Sequence, residues 1–128
     1  MDSRGFLWAG TNVGLNRYDG YDFKVYQFDP EDPSSISGNS INSILEAGDN
    51  KIWIGTESHG LNRFDPETDR FTRYAYSKDD PYSISGDRVQ CIAEDSEGNI
   101  WVGLDDGAGL CKLNISSGKF IRYDPFEA

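Results

Sequence analysis

The sequence is poor in the groups that most catalytic and metal-binding sites require. It holds one histidine, His59, one methionine and two cysteines in 128 residues. A single imidazole confines any Ser-His-Asp arrangement to one position. Cys91 and Cys111 have no Cys or His close to them in sequence. That indicates neither a zinc site nor a disulfide framework, and both thiols are expected as small buried hydrophobes. Positive charge is scarce too: 12 Lys and Arg face 22 Asp and Glu, for a net charge of −10. Such a surface repels phosphate backbones and anionic lipid, which argues against a nucleic-acid partner and makes the acidity a matter of solubility. Long hydrophobic runs are missing. Stretches such as Ile52-Trp53-Ile54 fall far short of the ~18 residues that span a bilayer as a helix, so no membrane insertion by this segment is expected. Behind Met1, the residues Asp2, Ser3 and Arg4 lead into a glycine-punctuated stretch without the apolar core of a signal peptide. Any export signal of a parent protein is expected outside this chain. Sustained 3.6-residue periodicity is also absent, so little or no helix is expected.

What the sequence does have is repetition. Phe-Leu-Trp-Ala-Gly-Thr at 6–11 returns as Lys-Ile-Trp-Ile-Gly-Thr at 51–56 and as Asn-Ile-Trp-Val-Gly-Leu at 99–104. A second block follows each time: Gly14-Leu15-Asn16-Arg17, Gly60-Leu61-Asn62-Arg63 and Gly109-Leu110-Cys111-Lys112. A third pairs aromatics: Phe23 with Tyr26, Phe71 with Tyr74 and Phe120 with Tyr123. Even a connector is copied, Ser35-Ile36-Ser37-Gly38 reappearing as Ser83-Ile84-Ser85-Gly86. The tryptophans Trp8, Trp53 and Trp101 are spaced by 45 and 48 residues, which gives about 2.7 copies of a unit in the length range of radial repeat proteins.

Within the middle unit, β-branched and aromatic runs between turn signals predict four short strands: Ser40 to Glu46, Lys51 to Thr56, Gly60 to Phe64 and Arg70 to Tyr76. The run Ile52-Trp53-Ile54 is apolar at consecutive positions, as in a strand covered on both faces. Four-stranded antiparallel units that stack face to face are β-propeller blades. The fold expected is therefore all-β: about 2.7 propeller blades, open unless completed by further chain or by oligomerisation. The division expected is a partial blade over 1–28, a connector over 29–39, a blade over 40–76, a connector over 77–87, a blade over 88–124 and a tail over 125–128. Gly10, Gly55 and Gly103 follow the apolar centre of each second strand, where a missing side chain lets another backbone approach.

At these residues the chain resembles a known family. Glu94-Asp95-x-x-Gly98-Asn99-Ile100-Trp101-Val102-Gly103, followed by Gly109-Leu110 and Phe120-x-x-Tyr123, is similar to the two-component regulator propeller repeat. The middle unit fits through Ile52-Trp53-Ile54-Gly55-Thr56, Gly60 to Asp65 and Phe71-Thr72-Arg73-Tyr74. The resemblance implies the periplasmic or extracellular sensing region of a bacterial membrane receptor, commonly a hybrid histidine kinase and sometimes a diguanylate cyclase. It also implies glycan recognition in many members, seven-bladed propellers, and the remainder of a receptor as partner. Closed propellers need about 4 to 8 blades. Either the chain is a piece of such a receptor, the favoured reading, or it is a self-assembling structural protein that completes a ring by homo-oligomerisation. Both lead to expected self-association through open blade faces and edges.

Catalysis is disfavoured. His59 falls in the turn Glu57-Ser58-His59-Gly60, and most carboxylates stand in repeated turns such as Asp65-Pro66 and Asp124-Pro125, where Asp has a structural use. A lyase or glycosidase would need an unrepeated acidic pair. No cofactor or metal is expected. Asp95, Glu97 and Asn99 imitate the opening of a calcium loop, but Ile100 replaces its glycine and Asp106 its closing Glu, so a turn is expected. A binding surface is expected where irregular loops gather at one end of the blades. The candidate ligand-binding residues there are Asn12, Glu57, His59, Tyr82, Arg88, Gln90, Asp105 and Asp106. Tyr82 has the ring to stack on a sugar face and Arg88 the charge to pair with a uronate. For Tyr82, packing over the neighbouring blade is the stronger competing reading.

Overall fold

A computed structural model describes Asp2 and residues 4–105 and 107–123. The expected tail and the Asp124-Pro125 turn lie outside them. The first sheet holds β1 (Leu7–Thr11), β2 (Gly14–Tyr18) and β3 (Phe23–Tyr26). The second holds β4 (Ile41–Glu46), β5 (Ile52–Thr56), β6 (Leu61–Asp65) and β7 (Arg70–Tyr74). The third holds β8 (Val89–Glu94), β9 (Ile100–Leu104), β10 (Gly109–Asn114) and β11 (Lys119–Tyr123). Within each sheet the strands follow chain order and pair antiparallel. These are β-propeller blades, one seen with three strands and two with four.

In the middle blade β4, β5 and β6 begin one residue later than expected and β7 ends two residues earlier, while β6 runs one residue further, to Asp65. Gly60 sits at φ +84 and spends its N–H on the Asp87 carbonyl, while the Tyr76 N–H is taken by Asp87 Oδ1. Both backbones are thus diverted from the ladder. In β4 and β8 the register slips between Ile41 and Ser43 and between Val89 and Cys91. These bulges leave Asn42 and Gln90 outside the ladder. Asn42 Nδ2 uses the freedom to donate to the Val89 carbonyl of the next blade at 3.1 Å.

Packing between blades forms two cores. Leu15 and Tyr26 of the first blade meet Ile36, Ile52, Ile54, Phe64 and Phe71, with Trp8 half-buried against them. Trp53 and Leu61 of the second blade meet Ile84, Val89, Ile100, Val102 and Phe120. β5 is buried along its whole length because it has a neighbour on each face. The connector isoleucines Ile36 and Ile84 are fully buried within these seams.

Each connector is stapled to the outer strand of the blade it enters. Phe71 N–H donates to Ser34 O, and Phe120 N–H to Tyr82 O. Arg73 Nε donates to the Ser35 carbonyl at 2.9 Å, and its Nη2 reaches Asp32 O and Ser35 Oγ. Arg122 repeats the pattern on Ser83 and Asp80. These charge-assisted bonds satisfy connector carbonyls that a surface loop would leave to water.

Two expectations are corrected. Cys111 is buried but Cys91 is exposed, because β8 lies on the outer blade and its sulfur side has no described sheet against it. The glycines make room for side chains, where backbone was expected: a Cβ at Gly10 would strike Ile41 Cγ2, at Gly55 Val89 Cγ1 and Ser43 Oγ, and at Gly103 Cys91 Sγ. Gly55→Ala is expected to destabilise the chain by about 1–3 kcal/mol through overpacking of the blade seam. Urea unfolding checks this, and an unchanged midpoint contradicts it.

Candidate functional site at the blade mouths

The β5–β6 and β9–β10 loops meet the starts of the inner strands. Glu57 N–H donates to the Ser40 carbonyl at 2.9 Å, and Asp105 N–H donates to the Arg88 carbonyl at 3.0 Å. Those two bonds place both loops and both inner-strand starts at one end of the blades. Glu57 then spans a seam: Oε2 accepts from Ser40 Oγ at 2.9 Å, and Oε1 lies 3.7 Å from Arg88 Nη2 of the next blade. Asp105 Oδ2 accepts from Gln90 Nε2 at 2.8 Å. Asn12, in the turn between β1 and β2, holds the place in its blade that Glu57 and Asp105 hold in theirs. Asn12, Glu57, Arg88 and Gln90, all exposed, and the half-buried Asp105 thus trace a polar arc of carboxylates, amides and one guanidinium.

The other candidates lie elsewhere. His59 belongs to the β5–β6 loop, where its N–H donates to Thr56 Oγ1, but it turns toward the connector, whose Ser37 Oγ donates to its carbonyl and whose Gly38 lies against its ring. With Phe28, Ser37, Ser58, Arg73, Ala75 and Asp87 it lines a cavity of about 310 Å³. Tyr82 follows the outer strand, its carbonyl bonded to Phe120 N–H and its ring under Lys119 Nζ at 4.8 Å. Lys119 begins β11, at the end opposite the mouth, so Tyr82 is separated from the arc. Asp106 lies outside the described residues.

The turns at the opposite end of the sheets carry a different constellation. Asp95 Oδ1 accepts from the N–H groups of Glu97 and Asn99, and Oδ2 from Asn99 Nδ2 and Trp101 Nε1 at 2.8 Å. Donation by the Trp101 indole, with the backbone and Asn99 donors, outweighs partial desolvation and holds the Asp95 carboxyl at about 2. Asp2 is wired in the same way, to the N–H groups of Arg4 and Phe6 and to Trp8 Nε1 at 2.6 Å. Burial raises its pKa, but these donors leave it lowered. The residue in the corresponding turn of the middle blade is Ala47, and there the buried Trp53 Nε1 has no partner among the described residues. The calcium-like spacing at Asp95 is therefore a turn whose carboxylate is filled by protein donors.

A profile described as the two component regulator propeller matches residues 35–58 and 83–106. Those two segments of the chain are thus matched as two-component regulator propeller repeats. In fold it is similar, at TM-score 0.88 and 34% identity, to the extracellular domain described as that of the hybrid two component system BT3049 from B. thetaiotaomicron, over 97% of this chain and 17% of that one. Over 37 residues it is 54% identical to Histidine kinase P4 of Formosa agariphila, which is 29% of this chain and 3% of the kinase. PorZ of Porphyromonas gingivalis, a surface component of the type-IX secretion system, shares the fold at TM-score 0.64 and 23% identity, over 95% of this chain and 19% of that one. The chain thus spans a small fraction of the relatives it matches.

The indole-capping aspartates of the propeller repeats were not singled out as indole acceptors in the sequence, although the signal is there. Asp2, Gly5 and Trp8 recur as Asp95, Gly98 and Trp101 at the same spacing, and the middle copy reads Ala47, Asn50 and Trp53. Gly5, Asn50 and Gly98 all take positive φ, which fixes the turn. An orphaned buried N–H costs about 1–3 kcal/mol. Ala47→Asp supplies the acceptor and is expected to raise stability by about 1 kcal/mol, the Glu94 carboxylate at Gly48 N–H limiting the gain; thermal unfolding checks it. The depressed carboxyls of Asp2, Asp69 and Asp95 make stability pH-dependent. Their folded pKa values lie below the unfolded ones, so their contribution is present above a pH of about 4 and lost as pH falls toward 2. Asp95→Asn is expected to flatten that part of the acid-unfolding curve, and an unaltered curve contradicts it.

Proposed function

We propose that this chain is a non-enzymatic, ligand-sensing part of the extracytoplasmic propeller region of a hybrid two-component receptor, and that the arc at the blade mouths recognises a polyhydroxylated ligand such as an oligosaccharide. The observation that carries the reading is the Ser40, Glu57 and Arg88 cluster, which straddles the seam between two blades. A ligand held there touches both blades and couples occupancy to their relative position, which is what a sensor needs. Carboxylates and amides such as Glu57, Asp105, Gln90 and Asn12 accept and donate to vicinal hydroxyls, while a guanidinium adds a preference for a uronate. Loops on β-sheets suit such binding because each sheet keeps its own geometry while the seam between two sheets is free to adjust. The description of BT3049 as a hybrid two component system supports the receptor context. Phosphotransfer, in this reading, belongs to segments other than these blades.

Isothermal titration of neutral and uronic oligosaccharides against the chain and its mouth variants tests the reading. Glu57→Gln with Asp105→Asn is expected to weaken binding at least about tenfold, and Arg88→Ala to weaken the uronic ligands selectively, as loss of charge-assisted hydrogen bonds predicts. Wild-type affinity in both variants, or no binding of any oligosaccharide to the unaltered chain, overturns it.

A further inference from the structure

We infer that the cavity beside His59 is a site for a free α-amino acid, with the ligand ammonium on Asp87, its carboxylate on Arg73 and its side chain against Phe28. The inference is independent of the oligosaccharide reading, because none of these residues belongs to the polar arc. Asp87 and Arg73 are half-buried and line the same cavity of about 310 Å³. They form no ion pair with each other, and neither pairs with another charged side chain among the described residues. Arg73 gives its Nε and Nη2 to the Ser35 carbonyl, the Asp32 carbonyl and Ser35 Oγ, all of them neutral. Those bonds hold the guanidinium 5.4 Å from the centre of the Phe28 ring. Asp87 Oδ1 accepts from the Tyr76 N–H, which leaves the charge of the carboxylate without a cation. A positive and a negative group, each partly withdrawn from water and lacking a counter-ion, cost stability unless a dipolar ligand joins them. An amino acid zwitterion carries both charges needed.

The repeats show which of these groups the blades need for themselves. Ser37 Oγ donates to the His59 carbonyl as Ser85 Oγ donates to that of Ala108, so Ala108 holds the place of His59 in the third blade. Val13 holds it in the first, directly ahead of Gly14. Asn39 Oδ1 accepts from the Phe28 N–H just as Asp87 Oδ1 accepts from that of Tyr76. The fold therefore runs on alanine or valine at one position and on a neutral amide at the other. The imidazole and the extra negative charge are additions to that architecture, and both enter one cavity. Ser58 Oγ lies 3.2 Å from His59 Nδ1. A hydroxyl donating there keeps the imidazole proton on Nε2, where it serves the ligand carboxylate together with the planar fork of Arg73. The volume falls at the small end of ligand pockets. Phe28, 42% exposed, and Ala75 offer apolar surface, so an aliphatic or aromatic amino acid is the class expected. A metal ion fits less well, since no three metal-ligating side chains gather among the described residues.

Isothermal titration of the chain with L-leucine and L-phenylalanine tests the inference, with N-acetyl-L-leucine and L-leucinamide as ligands that each lack one charge. Both derivatives are expected to bind at least about tenfold more weakly than L-leucine, as loss of a charge-assisted bond predicts. Asp87→Asn keeps the acceptor for the Tyr76 N–H, as Asn39 does for Phe28. It is expected to weaken L-leucine at least about tenfold while leaving N-acetyl-L-leucine unchanged, a selectivity that a purely structural role would not give. His59→Ala, which copies the third blade, is expected to weaken both ligands severalfold. No binding of either amino acid overturns the inference, as does N-acetyl-L-leucine binding as tightly as L-leucine. L-Leucine affinity unaltered by Asp87→Asn, or an equal loss for both ligands, overturns it as well.

Discussion

The seam between blades is the constraint on which the rest of this molecule depends. A short four-stranded sheet has two faces, and burying one leaves the other to be solved. Here each sheet offers a tryptophan, a leucine and a tyrosine on one face and aliphatic residues with a phenylalanine on the other, so that one blade's platform receives the next blade's wedge. Trp53 is fully buried because Ile84 and Val89 come from elsewhere in the chain to cover it. Gly10 and Gly55 follow from the same demand: the second strand must admit Ile41 or Val89 at contact distance. The arginine staples follow as well, since a connector isoleucine reaches its seam only if the loop carrying it is held to the outer strand.

The seams are alike in hydrophobic content and individual in their polar bonds. Between the first two blades, Tyr26 donates its hydroxyl to Asp69 Oδ1 at 2.7 Å, and Lys24 pairs with the same carboxylate. Burial first, and then the bond to Asp69, raise the Tyr26 pKa, while the donors from Lys24 and Tyr26 hold Asp69 low against the effect of its own burial. Asp69 takes φ +61 to make that reach, at a turn position that is Gly118, φ +72, in the next blade. Between the second and third blades the individual bonds are the Glu57–Arg88 pair at the mouth, Asn42 Nδ2 donating to the Val89 carbonyl, and the Gly48 N–H donating to the Glu94 carboxylate. Common hydrophobic shape makes any blade fit any other approximately; such bonds give each pair its preference, as charge pairing does at other interfaces.

Much of this was legible in the sequence because repetition and period-two patterning are local properties. Three copies of an Ile-Trp-Ile-Gly-like strand, each followed by Gly-Leu and an aromatic pair, specify the strands, their order and the face-to-face stacking. The mouth position of Glu57, Arg88, Gln90 and Asp105 also followed, since alternating strand direction determines which loops share an end. Tyr82 and His59 did not follow. Nothing in their neighbourhoods says that the connector runs along the outer strand before returning to the mouth, or that Gly38 opens a berth for an imidazole.

The sequence by itself determined the fold class and the strand succession, because each is written in the spacing of apolar residues and glycines, and its repeated motifs carried the resemblance to a propeller-repeat family. Only the tertiary structure decided how polar groups are satisfied. Asp95 and Asp2 cap indoles while the Trp53 indole has no partner among the described residues, Glu57 crosses to a neighbouring blade while Asp105 bonds within its own, and Cys91 faces outward while Cys111 is enclosed. Hydrogen bonds and burial depend on distance and direction between residues remote in the chain, and those are settled only when the blades meet.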